Sequence, residues 1–238
     1  MDKAGPARHF RDQLERNHEL VERLSLPDFP YSFFSLLQDW QRDRLRDCYG
    51  DLYAQDRYRE AIVFFLEELY GGKDISHRDH DVGRVYSVMV RFLPAETLTA
   101  VGDAFEMQAV SLELDMTMSK IWAANGAPGE LDDVSYCDLY RKTGALNLRE
   151  KQIVLIGSLG LDLAVAVKNS MVDKLVRVLR LPARVAGFQS LQLFMESGLR
   201  AFRIMGDPAE FLDTICTRER MIMEAIVARK PDPFMIPR

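Results

Sequence analysis

No proline interrupts the chain between Asn147 and Pro182, and the first part of that stretch is apolar on nearly every side. Asn147 stands three residues ahead of Glu150, the spacing of a helix N-cap and its capping-box partner. The pattern predicts one long helix over about 147–181, with Gly157 and Gly160 as the places where it would bend. From Ile153 to Val167 only Gly157, Ser158, Gly160 and Asp162 break the apolar run. A helix that is apolar all round is a buried one. Those fifteen residues, at about 1.5 Å each, reach roughly 23 Å, short of a hydrocarbon core of about 30 Å. Asp162 would also lie near its middle, so the stretch reads as a core helix and not as a transmembrane segment. Ile153 to Ile156 entering Gly157 resembles a buried strand before a glycine turn, but a nucleotide site would want G-x-G-x-x-G or a P-loop lysine. Gly157 and Gly160 fit better as small residues that let a second helix approach closely.

The second half of the same stretch is amphipathic. Val172, Leu175, Val176 and Leu179 fall on one face, and Lys174, Arg177, Arg180 and Arg184 on the other. A solvated face accounts for that row of cations. The sharper reading is a partner- or anion-binding surface for phosphates, acidic lipid or an acidic protein, including peripheral contact with an acidic membrane. Charge is unevenly spread elsewhere too. Glu96 to Asp138 holds nine acids and one Lys, whereas Val165 to Met205 holds seven bases and two acids. Two such surfaces could pair within one molecule or between copies, so a homo-oligomer or another protein is the expected partner. The net charge of −5 argues against general nucleic-acid binding.

The remaining segments read as helices. Expected spans are a first helix to about Leu24, a second from Tyr31 to Asp47, a third from Asp56 to Tyr70 ending at Gly71-Gly72, and a fourth from Ser76 to Phe92. Pro94 then opens a helix reaching Ala124, a short helix covers Asp132 to Lys142, and Asp207-Pro208-Ala-Glu210 starts the last one. Val110 to Ser119 alternates like a strand, yet Leu, Met and Glu are helix formers. As a helix it has two apolar faces, Phe105, Leu112 and Met116 on one, Met107, Val110, Leu114 and Ile121 on the other, which suits packing between two neighbours. The fold class is therefore all-α, a compact bundle of about eight helices around the long central one. Its 238 residues can bury roughly 70% of their unfolded surface. A single domain is expected over 1–230, with the loop at 125–130 as the one place where it could divide. A Pro-rich extended tail follows over 231–238. Three distant cysteines and no signal-peptide h-region point to the cytoplasm.

Several runs together resemble a family of uncharacterised proteobacterial proteins. They are Leu37-Gln-Asp-Trp-Gln-Arg-Asp-Arg-Leu45, Arg57-Tyr-Arg-Glu-Ala61 leading to Phe64-Phe-Leu-Glu-Glu-Leu-Tyr-Gly71, Arg78-Asp79, Leu181-Pro-Ala-Arg184, Phe194-Met-Glu196 and Phe202-Arg-Ile-Met-Gly206. The resemblance spans about Phe29 to Arg229, is marked by the FFLEELYG run, and implies a helical fold. It carries no activity and no catalytic residues.

Candidate chemistry has to come from the residues. Glu15-Arg-Asn-His18 has the Glu-x-x-His spacing of di-iron bundles, and Glu67, Glu68, Glu106 and Glu113 could face it. Glu15, His18, Glu67 and Glu106 are thus the provisional metal ligands, although a symmetric site wants a second Glu-x-x-His and His18 can pair with Glu22. His77-Arg-Asp-His80-Asp81 offers two imidazoles, but beside Ser76 it also reads as an ordinary helix start. Glu67 and Glu68 point about 100° apart on a helix and do not converge on one atom. Phe33, Phe34, Tyr58, Phe64, Phe65 and Tyr70 could line a ligand cavity or simply the core. No G-x-S-x-G occurs. Two functional classes remain: a non-enzymatic helical binding protein that meets its partner through charged faces, and an enzyme or sensor holding a small apolar ligand, haem or metal in the bundle interior. A structure in which Asp162, Glu67 and Glu106 converge on a cavity would favour the second.

Overall fold

The computed structural model describes residues 2–66, 86–87, 89–126, 130–168, 172, 174 and 189–236. Every regular element among them is helical: α1 (Ala4–Leu24), α2 (Tyr31–Cys48), the single turn α3 (Gly50–Tyr53), α4 (Asp56–Phe64), α5 (Ala95–Ala124), α6 (Asp133–Thr143), α7 (Leu146–Lys168), α8 (Gln189–Met205) and α9 (Ala209–Val227). The expected helices over 56–70 and 76–92 and the cationic row Arg177, Arg180 and Arg184 lie wholly or partly outside the described residues.

Helix ends form where short-range chemistry favours them. The Asp132 carboxylate accepts the Ser135 N–H at 2.8 Å and opens α6, and Gly144, at φ 64°, closes it in the left-handed conformation. Asp207 Oδ1 accepts the Ala209 N–H at 3.1 Å and opens α9. Asn147 does not cap α7. The Ala145 carbonyl takes the Leu148 and Arg149 N–H groups at 3.0 and 3.1 Å, so the helix starts at Leu146 and Asn147 sits inside its first turn.

α5, the longest described helix at 30 residues, packs against α1, α2, α6 and α7. Its alternating segment is helical because both of its sides are covered. Leu112 and Met116 meet Leu20, Phe29 and Phe34, while Met118 joins the main core with Ile121 and Trp122 against it. α1 runs alongside α5 in the same direction, tied by Arg16 to Glu113 and by the Asn17 amide to the Phe105 carbonyl. α7 is one unbroken helix through both of its glycines. A Cβ on Gly160 would stand 2.3 Å from Leu212 Cδ2, and one on Gly157 3.2 Å from Cys216 Sγ, so these positions let α9 lie close. α7 is nonetheless not enclosed all round. Ile153, Leu155 and Ala164 are buried, but Val154, Leu161 and Val165 are exposed, because α5, α8 and α9 cover only part of its circumference.

The segment after α9 is not extended. Arg229 and Asp232 have positive φ, the Met235 N–H returns to the Asp232 carbonyl, and Phe234 packs edge-on to Trp40 at 5.5 Å. The aromatic contact is worth more to this tail than solvation of an apolar ring.

Candidate functional site

Four helices bring charged and amide side chains to one place in the core through positions that belong to their inward stripes. On α2 these are Gln41 and Arg44, three apart, and on α7 Arg149 and Gln152, again three apart and followed by Ile153 and Ile156. α9 adds Glu219 between Ile215 and Ile222, and α5 adds Asp115. Tyr136 and Tyr140 of α6, one turn apart, and Tyr49 close the sides, and Phe234 of the folded-back tail closes an end. Together they bound a cavity of about 90 Å³.

The groups around it are unevenly satisfied. Arg44 Nη1 donates to Glu219 Oε1 at 2.5 Å, and the Tyr49 hydroxyl donates to the same oxygen at 2.7 Å. Burial pulls the Arg44 guanidinium down, but the charge of Glu219, with lesser help from Tyr136 and Tyr49, more than offsets it and holds Arg44 above its ordinary range. Arg44 Nε, buried, has no acceptor among the described residues. Asp115 Oδ1 accepts from Gln41 Nε2 at 3.0 Å. Burial pushes the Asp115 carboxyl up, and the charge of Arg149 only partly opposes the shift. Arg149 is 8% exposed, lies 4.5 Å over the Tyr140 ring and donates from Nη2 to the Met118 thioether at 2.9 Å. Gln152 Nε2 donates to Ser111 Oγ at 2.7 Å. Trp40 stacks on Tyr136 at 3.9 Å and shields the α6 side. Behind this centre Arg218 grips Asp51 with two bonds of 2.7 Å, and that pair holds the Asp51 carboxyl below its usual value.

Of the provisional metal ligands, Glu15, His18 and Glu106, the three among the described residues, do not come together. Glu15 reaches Arg11, His18 reaches Glu22 at 3.4 Å on an exposed face, Glu106 is held by Lys151, and Glu67 lies outside the described residues. Glu106 instead neighbours His9 and Asp103, whose ligand atoms all lie within 4.8 Å of one another. His9 Nε2 is 2.8 Å from Asp103 Oδ1, and its ring lies against Gly102, where a Cβ would come within 2.5 Å of Cδ2. Asp162 feels burial first and Asp103 second, both raising its carboxyl, and it does not line the cavity. Lys174 is exposed. Burial raises all three thiols, Cys137 to about 11, which argues against a thiolate nucleophile at neutral pH.

Arg44, Asp115, Arg149 and Glu219 were not singled out from the sequence. The available signal was a charged residue inside an apolar stripe of spacing three and four, as at Glu219 between Ile215 and Ile222.

Residues 32–233 match the family model described as a domain of unknown function, DUF8198. No curated protein and no solved structure matches the chain. The match takes in every cavity-lining residue except Phe234 and leaves out α1 with His9.

Proposed function

The chain belongs to the DUF8198 family, a domain of unknown function, and we propose that it is a small-ligand-binding helical protein that holds its ligand inside the bundle. One observation carries this reading: a cavity of about 90 Å³ in a core where Arg44, Asp115, Arg149 and Glu219 all line it. Burying a charge is expensive unless it is fully paired, and among the described residues Arg44 Nε has no acceptor and Arg149 makes one hydrogen bond, to a thioether, beside its contact with the Tyr140 ring. A core selected for stability alone would fill such a space with apolar side chains. The size disfavours haem, which needs far more room.

Self-association through an acidic and a basic face has less support. Much of the acidic stretch is already engaged within the chain, Glu106 by Lys151, Glu113 by Arg16 and Asp138 by Arg141. No helix among the described residues is long and apolar enough to cross a membrane.

Ligand-observed NMR with a library of compounds under about ten heavy atoms tests the reading. Binders are expected, and Ile156→Phe, which fills the cavity without changing any charge, is expected to abolish their binding while leaving the fold intact. A library with no binder, or binders indifferent to that substitution, would overturn it.

A further inference from the structure

A guanidinium carries five N–H donors. Among the described residues that of Arg149 makes one hydrogen bond, to Met118 Sδ, a weak acceptor. Asp115 lines the same cavity but gives its oxygen to Gln41, and it acts on Arg149 through longer-range charge. The buried cation thus faces the cavity without a carboxylate of its own. The lining also has an apolar part, with Ile153 and Ile156 one and two turns after Arg149 along α7 and Ile222 on α9.

Building on the cavity reading above, we propose that the occupant is a small monocarboxylate, with its carboxylate on Arg149 and a short alkyl chain against the three isoleucines. An Arg and a carboxylate match in plane and can bond bidentately. A dry cavity of about 150 Å³ accepts benzene, so about 90 Å³ calls for an acid smaller than benzene, and propionate is among the smallest that still carries an alkyl chain. The isoleucine side disfavours phosphate, whose charged oxygens would be left unpaired there. Asp115 Oδ1 is turned to Gln41 Nε2 at 3.0 Å, and burial pushes its carboxyl up against the charge of Arg149.

Calorimetric titration of the full chain with sodium propionate, propionamide, 1-propanol and sodium phosphate, at matched ionic strength, tests the assignment. Propionate is expected to bind at least about tenfold more tightly than propionamide, the loss of one charge-assisted contact. Phosphate is expected not to compete. Arg149→Met is expected to erase the preference for acid over amide. Because that change can unfold a buried centre, the wild-type comparison is decisive on its own. Amide binding as tight as acid overturns the carboxylate and leaves the cavity reading standing. Phosphate binding as tight as propionate overturns the alkyl subsite. If neither acid, amide nor alcohol binds, the cavity reading itself falls.

Discussion

The seam between α1 and α5 and the centre between α2, α5, α7 and α9 are built from the same kinds of residue and solve opposite problems. In the seam, Phe10 is fully buried with Leu98, flanked by Phe105 and Tyr86, and its charges stay at the margin, where Arg16 meets Glu113 and His9 meets Asp103. The centre turns its charges inward, leaves a hole between them and leaves Arg44 Nε without an acceptor among the described residues. Asn17 is a departure within the seam: its Nδ2 donates to the Gln13 and Phe105 carbonyls, while its buried Oδ1 has no partner among the described residues. The seam packs as a core does. On the reading proposed above, the centre gives up stability to keep a site.

The comparison can be broken most directly at its two ends. Phe10→Ala should lower unfolding free energy by about 3–5 kcal/mol in urea denaturation, with no second substitution nearby restoring it. Glu219→Ala should cost a similar amount, about 3–5 kcal/mol, because it strands the Arg44 cation. The double change Arg44→Met with Glu219→Leu should bring stability back to the wild-type level or above it. If it does not, the centre is a structural device like the seam. Gly160→Val should cost about 2 kcal/mol by driving a side chain into Leu212, and Leu212→Ala should relieve part of that loss.

Asp115 sharpens the contrast through its sign. Its carboxyl is raised on folding, first by burial, against the opposing charge of Arg149 and the hydrogen bonds of Gln41 and Gln38. The native state therefore binds more protons than the unfolded chain above the ordinary value of 3.8. The stability it contributes is present below that value and is lost as pH rises through the native one. Asp115→Asn should remove this loss and leave the protein more stable at neutral pH, measured as melting temperature across pH 4 to 8. Asp51, lowered by Arg218, works the other way, losing stability as pH falls. The smallest effect should come from the seam's margin, where Arg16→Ala should cost less than about 1 kcal/mol and lose its effect in high salt.

Much of the architecture was legible in one dimension. Helical periodicity separates Leu112 and Met116 from Ile121 on α5, and these do meet different neighbours, while Phe105 packs with Phe10 instead. Gly157 and Gly160 were readable as a close-approach site because only a missing Cβ admits a neighbour. The metal constellation was sought in Glu-x-x-His and in paired acids, patterns local in sequence. The charges that do meet are separated by up to 175 residues, as Arg44 and Glu219 are, and no local motif joins them.

Periodicity, caps and breakers act over a few residues, so the all-helical fold, most helix ends and the inward stripes followed from the chain alone. Which stripe faces which is decided only when helices pack, because excluded volume and side-chain shape act between segments that are remote in sequence. That packing placed Arg149 beside Met118 without a carboxylate to grip, turned the tail back so that Phe234 closes a cavity, and left one side of α7 uncovered.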